Sequence, residues 1–220
     1  FIPHNAYHTY EMSFCLPYLK QNEITYLFIN IDKVYKNEGV EKKAIELGLA
    51  YDDYSEDILD KYTPKAIFVM NDWGGVVAET VKMANRAGIS TVGLVEGVQD
   101  YLDTHVEHIG VGHKRHPYQT VQYPLVLGEY DTKFFPHSNP VIVGSPRIEA
   151  LMTRKSASPK EVKICINSNF TYGVYINAQQ SWLDDVVYAC NQTGINYVIS
   201  RHPADKIQLG EYNVTDKHLY

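Results

Sequence analysis

Short apolar runs alternate with stretches of helical period along this chain, and the clearest of them run from Lys65 to Tyr101. Ala66 to Met70 is apolar and bounded by Pro64 and by Asn71-Asp72, which predicts a buried strand. Val76, Val77, Thr80, Val81 and Ala84 then recur at helical spacing up to Gly88, and Ser90 to Val95 forms a second apolar run. A strand, a helix and a strand with a crossover of this length make a parallel βαβ unit. In open α/β sheets ligands bind beyond the carboxyl ends of the strands. Asn71, Asp72, Trp73, Gly74 and Gly75 lie at one such end, and Glu96, Gly97, Gln99 and Asp100 at the next.

The same grammar extends backward. Phe1 to Asn5 reads as the exit of a first strand, and Tyr10 to Lys20 as a helix capped by Asn5 or Thr9, with Pro17 bending it or ending it early. Ile24 to Ile31 is continuously apolar, as a parallel strand covered on both faces should be. Val40 to Leu47 predicts a helix stopped by Gly48, and acidic Asp52 to Asp60 a short connecting helix anchored by Ile58 and Leu59. Alternation of this kind predicts a doubly wound parallel sheet.

After Tyr101 the pattern weakens. Asp103 to Thr120, with His105, His108, His113 and His116, reads as a loop or a poorly periodic helix. Tyr123 to Leu127 and Val141 to Val143 read as strands separated by a turn at Gly128 to Asp131, and Ile148 to Met152 starts a helix. The segment from Arg154 to Lys160 is small, polar and proline-containing, so the predicted division is a first domain over 1–153, a linker over 154–160 and the start of a second domain over 161–220. In that second part a strand (Val162 to Ile166), a polar and aromatic loop (Asn167 to Asn177), an amphipathic helix (Trp182 to Cys190) and a strand (Tyr197 to Ser200) lead to Arg201-His202-Pro203.

Composition narrows the partners. The formal net charge of -6, without a run of Lys and Arg, argues against nucleic acid as the main partner and leaves a small anionic ligand open. Cys15, Cys165 and Cys190 lie inside predicted apolar elements without metal-ligand spacing, so they read as reduced, buried thiols. Neither a membrane-spanning run nor a signal peptide is visible, which favours the cytoplasm, and a chain opening at Phe1 leaves a preceding segment open.

Two Rossmann-like domains joined by a short linker resemble the GT-B architecture. The first domain resembles that of nucleotide-sugar glycosyltransferases and non-hydrolysing UDP-N-acetylglucosamine 2-epimerases, on Asn71-Asp72-Trp73-Gly74-Gly75, on Val95-Glu96-Gly97 and on the turn Val143-Gly144-Ser145-Pro146-Arg147. Glu96-Gly97 with Arg201-His202-Pro203 further resembles the paired motifs of bacterial sialyltransferases and related capsule and lipopolysaccharide transferases. The resemblance implies a cytoplasmic, metal-independent transferase that takes a nucleotide sugar, CMP-linked in the sialyltransferase case, and a glycan or lipid-linked glycan acceptor. It requires no cofactor and allows peripheral association with the inner face of the membrane.

Sugar transfer needs a base or a carboxylate nucleophile, together with cationic or dipolar groups for the leaving phosphate. Glu96 and Asp100 supply carboxylates at a strand end, against the plainer reading of a helix cap. His4 is a third catalytic candidate and His8 an acceptor-side one, although a single histidine is more often no ligand. Arg201, His202 and Pro203 suit the donor phosphate, against a mere surface turn, and Asn169, Thr171, Tyr172 and Gly173 form the loop facing it in GT-B enzymes. Asp72 and Trp73 are read on the acceptor side, where capping of the following helix and domain packing compete. No GxGxxG or Walker pattern occurs, and the histidines of 105–116 lack zinc-ligand spacing. Two rivals remain from sequence: a sugar-nucleotide epimerase and a non-catalytic nucleotide-sugar or glycan-binding module.

Overall fold

The computed structural model describes residues 1–36, 39–95, 118, 120–152, 163–168, 176–201 and 214–215. The chain divides into two compact α/β units, one containing the described residues up to Met152 and the other those from Lys163 onward.

In the first unit, β1 (Phe28–Asn30) pairs in parallel with β2 (Tyr51–Asp53). A four-stranded parallel sheet runs β3 (Ala66–Val69), β4 (Ser90–Leu94), β5 (Tyr123–Val126) and β6 (Val141–Ile142). The segment from Phe1 to Pro3 lies between these two sheets and bonds to both. The Phe1 nitrogen donates to the Leu27 carbonyl at 2.9 Å and Ile29 N–H donates to Phe1 O at 2.8 Å, while Ile2 N–H donates to Phe68 O at 2.9 Å in a parallel bridge with Val69. The resulting spatial order is β2, β1, Phe1–Pro3, β3, β4, β5, β6, compatible with the Rossmann-like class. The direction of winding reverses between Phe1–Pro3 and β3.

Strand alternation sorts the apolar residues into two cores. Ile2, Ile29, Ile67 and Val69 pack with Ile58 and Leu59 of α5 (Ile58–Tyr62) and with Val77, Val81 and Ala84 of α6 (Gly75–Arg86). Their neighbours Phe1, Phe28 and Phe68 pack on the opposite side with Met12 of α1 (Ala6–Ser13) and Leu16 of α2 (Leu16–Gln21). The Phe1 and Phe28 rings stack with centroids 4.9 Å apart and planes 11° from parallel. Phe28, Val69, Val77 and Val81 are wholly buried, each contributing about 1.5–3 kcal/mol of transfer free energy.

Several boundaries differ from the sequence expectation. The first helix ends at Ser13 and Pro17 sits in the first turn of α2, so the proline opens a second helix instead of bending the first. Asn5 is the N-cap of α1, its Oδ1 accepting from His8 N–H at 2.9 Å. The second strand is only Phe28–Asn30, shorter than the run Ile24 to Ile31. The acidic stretch expected to be a connecting helix begins with strand β2, and α5 follows it. The helices α3 (Asp32–Tyr35) and α4 (Val40–Glu46) occupy the crossover from β1 to β2.

At the end of the first unit, Gly144 takes a positive φ of 68°, Ser145 Oγ accepts from Ile148 N–H at 3.3 Å, and Pro146 opens α7 (Pro146–Met152). Arg147 Nη1 donates to Glu11 Oε1 at 2.7 Å, both side chains being largely buried, and the Tyr18 hydroxyl donates to Glu149. These contacts fasten α7 to α1 and α2.

The second unit contains β7 (Lys163–Ser168), α8 (Ile176–Thr193), β8 (Asn196–Arg201) and β9 (Val214–Thr215), with all three strands parallel in the order β7-β8-β9. Ile166, Leu183, Val187 and Ile199 form its core. Helix α8 is longer than the predicted Trp182 to Cys190, and β9 has no counterpart in the apolar pattern. Among the described residues no helix is long and apolar enough to cross a membrane.

The cysteines correct the expectation of three buried thiols. Cys190 is buried, Cys15 is intermediate and Cys165 is exposed. Strand β7 leaves Ile164, Cys165 and Asn167 accessible, so an apolar run there does not mean cover on both faces. Burial, reinforced by the charge of Glu11, pushes the Cys15 thiol up to about 11. Alkylation of the folded protein, read cysteine by cysteine by mass spectrometry, should modify Cys165 first. Cys15 should respond only as the pH approaches about 11, and fast labelling of Cys15 near neutrality would contradict this packing.

Candidate functional site

The winding reverses between Phe1–Pro3 and β3, and in open α/β sheets the carboxyl ends at such a reversal are where ligands bind. The first exit carries His4 and Asn5, and the second carries Asn71, Asp72 and Trp73 before α6 starts at N-cap Gly74. The Asn5 cap turns α1 so that His8 folds back beside His4. His4 N–H donates to His8 Nδ1 at 3.3 Å, and the two ring centroids are 5.6 Å apart. Tyr35, from α3, stacks on His4 with centroids 5.7 Å apart and planes 29° from parallel.

Gly75 fits this place for two reasons. Its φ of +62° lies in the left-handed region, and an added Cβ would collide with the Tyr35 hydroxyl. The Tyr35 hydroxyl therefore lies against the first residue of α6. His4, His8, Tyr35 and Gly75 converge although they come from three separate segments. Tyr35 escapes sequence reasoning, because its participation depends on the short helix α3 returning toward the first strand.

Asp72 ties two segments of the chain together. Its Oδ2 accepts from Thr120 N–H and Thr120 Oγ1, both at 2.6 Å, and from Val121 N–H at 3.1 Å, and the residue is 5% exposed. A buried carboxylate needs such donors, and three of them bind the approach to β5 onto the end of β3. Tyr118 completes the clamp, donating to Leu94 O at 2.6 Å while its ring lies over Gly93, where an added Cβ would stand 2.6 Å from Cζ. Gly74, the N-cap of α6, has no side chain with which to cap it. Trp73 is half-buried in the same turn.

Glu96, Asp100, Asn169, Thr171, Tyr172, Gly173, His202 and Pro203 lie outside the described residues, as do His105, His108, His113 and His116. Arg201 is described as the last residue of β8, in register with Ser168. Among the described residues no cluster of three histidine, cysteine or carboxylate side chains is placed to hold a metal ion.

The carboxyl end of β1 carries a second concavity that sequence reasoning does not find. A cavity of about 670 Å3 is lined by Asn30, Asp32, Lys33, Lys36, Glu41, Lys42 and Ile45. Asn30 Nδ2 donates to Asp53 Oδ1 at 2.9 Å and Asn30 Oδ1 accepts from Asp32 N–H at 3.0 Å. Lys33 pairs with Asp53 and, with help from Asn30, holds that carboxyl below its ordinary value. Comparison with protein-family models, curated proteins and solved structures finds no match for this chain.

Substitution tests the clamp directly. Asp72→Ala orphans three donors and should lower stability by about 2–4 kcal/mol in urea unfolding, with Asp72→Asn recovering part of the loss. A change below about 0.5 kcal/mol would mean that Asp72 does not hold the approach to β5 in place.

Proposed function

We propose that this chain is a glycosyltransferase of GT-B type that moves a sugar from a nucleotide-sugar donor to a bacterial surface-polysaccharide acceptor. The observation that carries the reading is the convergence of His4, His8, Tyr35 and the glycine start of α6 at the carboxyl edge of an all-parallel sheet, where the winding reverses. The beginning of a second parallel α/β unit after the polar 154–160 segment supports a two-domain enzyme, and the motif resemblance supports the choice of reaction.

In this reading the first unit presents the acceptor and the second holds the donor. The acceptor hydroxyl oxygen attacks the anomeric carbon, the bond from that carbon to the phosphate oxygen breaks, and the electron pair leaves on the phosphate. Glu96, Asp100 or His4 takes the acceptor proton. Arg201 and His202 oppose the charge growing on the leaving phosphate, and Asn169, Thr171, Tyr172 and Gly173 surround it with donors. In the same reading Asp72, Trp73 and His8 serve the acceptor side, and His8 Nδ1 accepts from the His4 N–H. No resident metal or cofactor is required by this scheme.

Calorimetric titration of the chain with CMP, UDP and CDP tests it. One nucleotide should bind selectively, and His202→Ala should weaken that binding about ten-fold or more through loss of a charge-assisted contact. His4→Ala should lower turnover with little change in nucleotide affinity. Epimerisation of a nucleotide sugar without acceptor, or binding without turnover, would replace this reading with the corresponding rival.

A further inference from the structure

Five large apolar side chains in the short stretch 141–152 stay in solvent. Val141, Ile142 and Val143, with Ile148 and Met152 of α7, are between 43% and 80% exposed. Single exposed residues of this kind are ordinary, whereas a contiguous group marks a contact surface. Residues 138–146, Ser-Asn-Pro-Val-Ile-Val-Gly-Ser-Pro, carry no charge, although sheet edges are commonly defended by charged side chains.

Among the described residues β6 is the outermost strand of its sheet, paired with β5 on one side only. Asn139 N–H donates to Gln122 O at 2.8 Å and Val143 N–H donates to Val126 O at 3.0 Å. Backbone direction alternates along a strand, so the N–H and C=O of Ile142 turn away from β5, toward the open edge. Two residues keep that edge short. Pro140 has no N–H to offer, and Gly144 leaves the extended conformation at φ +68°. A long peptide adding itself as a strand needs donors and acceptors at every second residue, and this edge has one complete set. A copy of β6 running antiparallel needs no more, since Ile142 opposite Ile142 exchanges both bonds in one reciprocal pair. That pairing has two-fold symmetry, the commonest closure of oligomers.

We propose that β6 and the exposed face of α7 form the contact between two copies of this chain, related by a two-fold axis through the Ile142 pair. Val141 and Val143 stand on one face of the strand and Ile142 on the other, so both sides of the joint are apolar. Arg147, turned to Glu11, fixes α7 so that Ile148 and Met152, one turn apart, lie together on its solvent side. At their fractional exposures the five side chains present on the order of 500 Å2, against ~800 Å2 per partner in a standard interface. Backbone and a polar rim supply the balance. The assignment uses no residue of the proposed transferase site and stands apart from that reading.

Sedimentation velocity of the chain over a range of concentrations, together with disulfide trapping, tests the contact. The chain should pass from monomer to dimer with no larger species, since a two-fold contact closes. Ile142→Lys and Met152→Lys should each raise the dimer dissociation constant about ten-fold or more, while Ile45→Lys, at another exposed apolar position, should leave it unchanged. The substituted side chains are exposed, so thermal unfolding of each variant, at a concentration where the parent is monomeric, should match the parent. In a Cys165→Ser background, Ile142→Cys should join two copies under mild oxidation, because a hydrogen-bonded antiparallel pair sets its Cα atoms about 5.5 Å apart, within disulfide range. Ile45→Cys should not. A chain that stays monomeric at every concentration, a series of ever larger species, or a dimer that Ile45→Lys breaks and Ile142→Lys does not would each overturn the assignment. So would trapping at Ile45→Cys in preference to Ile142→Cys.

Discussion

The first unit depends on one set of hydrogen bonds, those that hold Phe1–Pro3 between β1 and β3. Without them the described residues of the first unit form a two-stranded ribbon and a four-stranded sheet, each with an exposed edge. With them the strands form one parallel array, and its backbone donors and acceptors meet across the middle. The same insertion separates the two cores, because Phe1 and Ile2 are consecutive residues whose side chains go to opposite faces. It also creates the crevice, since a parallel sheet opens between neighbouring loops where the winding changes direction.

Around that crevice, structural and chemical duties divide among adjacent residues. Asp72 closes the floor by drawing in Thr120 and Val121, which leaves Gly74 and Gly75 to bring the chain into α6 beneath Tyr35. Asn5 caps α1 and thereby sets His8 against His4. Among these residues His8 is buried at 3% exposure, and His4 and Tyr35 have the chemistry for ligand contact. Asp72, at a strand end, uses its Oδ2 to hold Thr120 and Val121.

The legible parts of the fold are those where local pattern and tertiary context agree. The βαβ unit from β3 to β4 is legible nearly to the residue, because α6 has a regular apolar stripe and Gly88 stops it at φ +73°. Strand β2 is not legible as a strand. Tyr51, Asp52 and Asp53 are half-buried at the sheet's edge, where polar residues pair through the backbone without advertising burial. Cys165 is exposed within an apolar run because β7 is covered on one face there and open on the other. Strand ends point to the crevice, but nothing local points to Tyr35. The concavity at the end of β1 is invisible in sequence because Asp32, Lys33, Lys36, Glu41 and Lys42 look like an ordinary solvated surface until two helices fold them to one side.

The insertion of Phe1–Pro3 also has a kinetic meaning. Its bonds to β1 can form once the chain has folded back by the length of one helical hairpin, but its bridge to Val69 must wait until the whole of the second crossover has been laid down. Pairings between distant residues raise contact order and slow folding, so the two flanking modules can mature before the central seam closes. The bridge from Ile2 to Val69 spans the longest sequence separation among the strand pairings of this unit. Any ligand site at the ends of Phe1–Pro3 and β3 therefore depends on the pairing in this unit that is most distant in sequence.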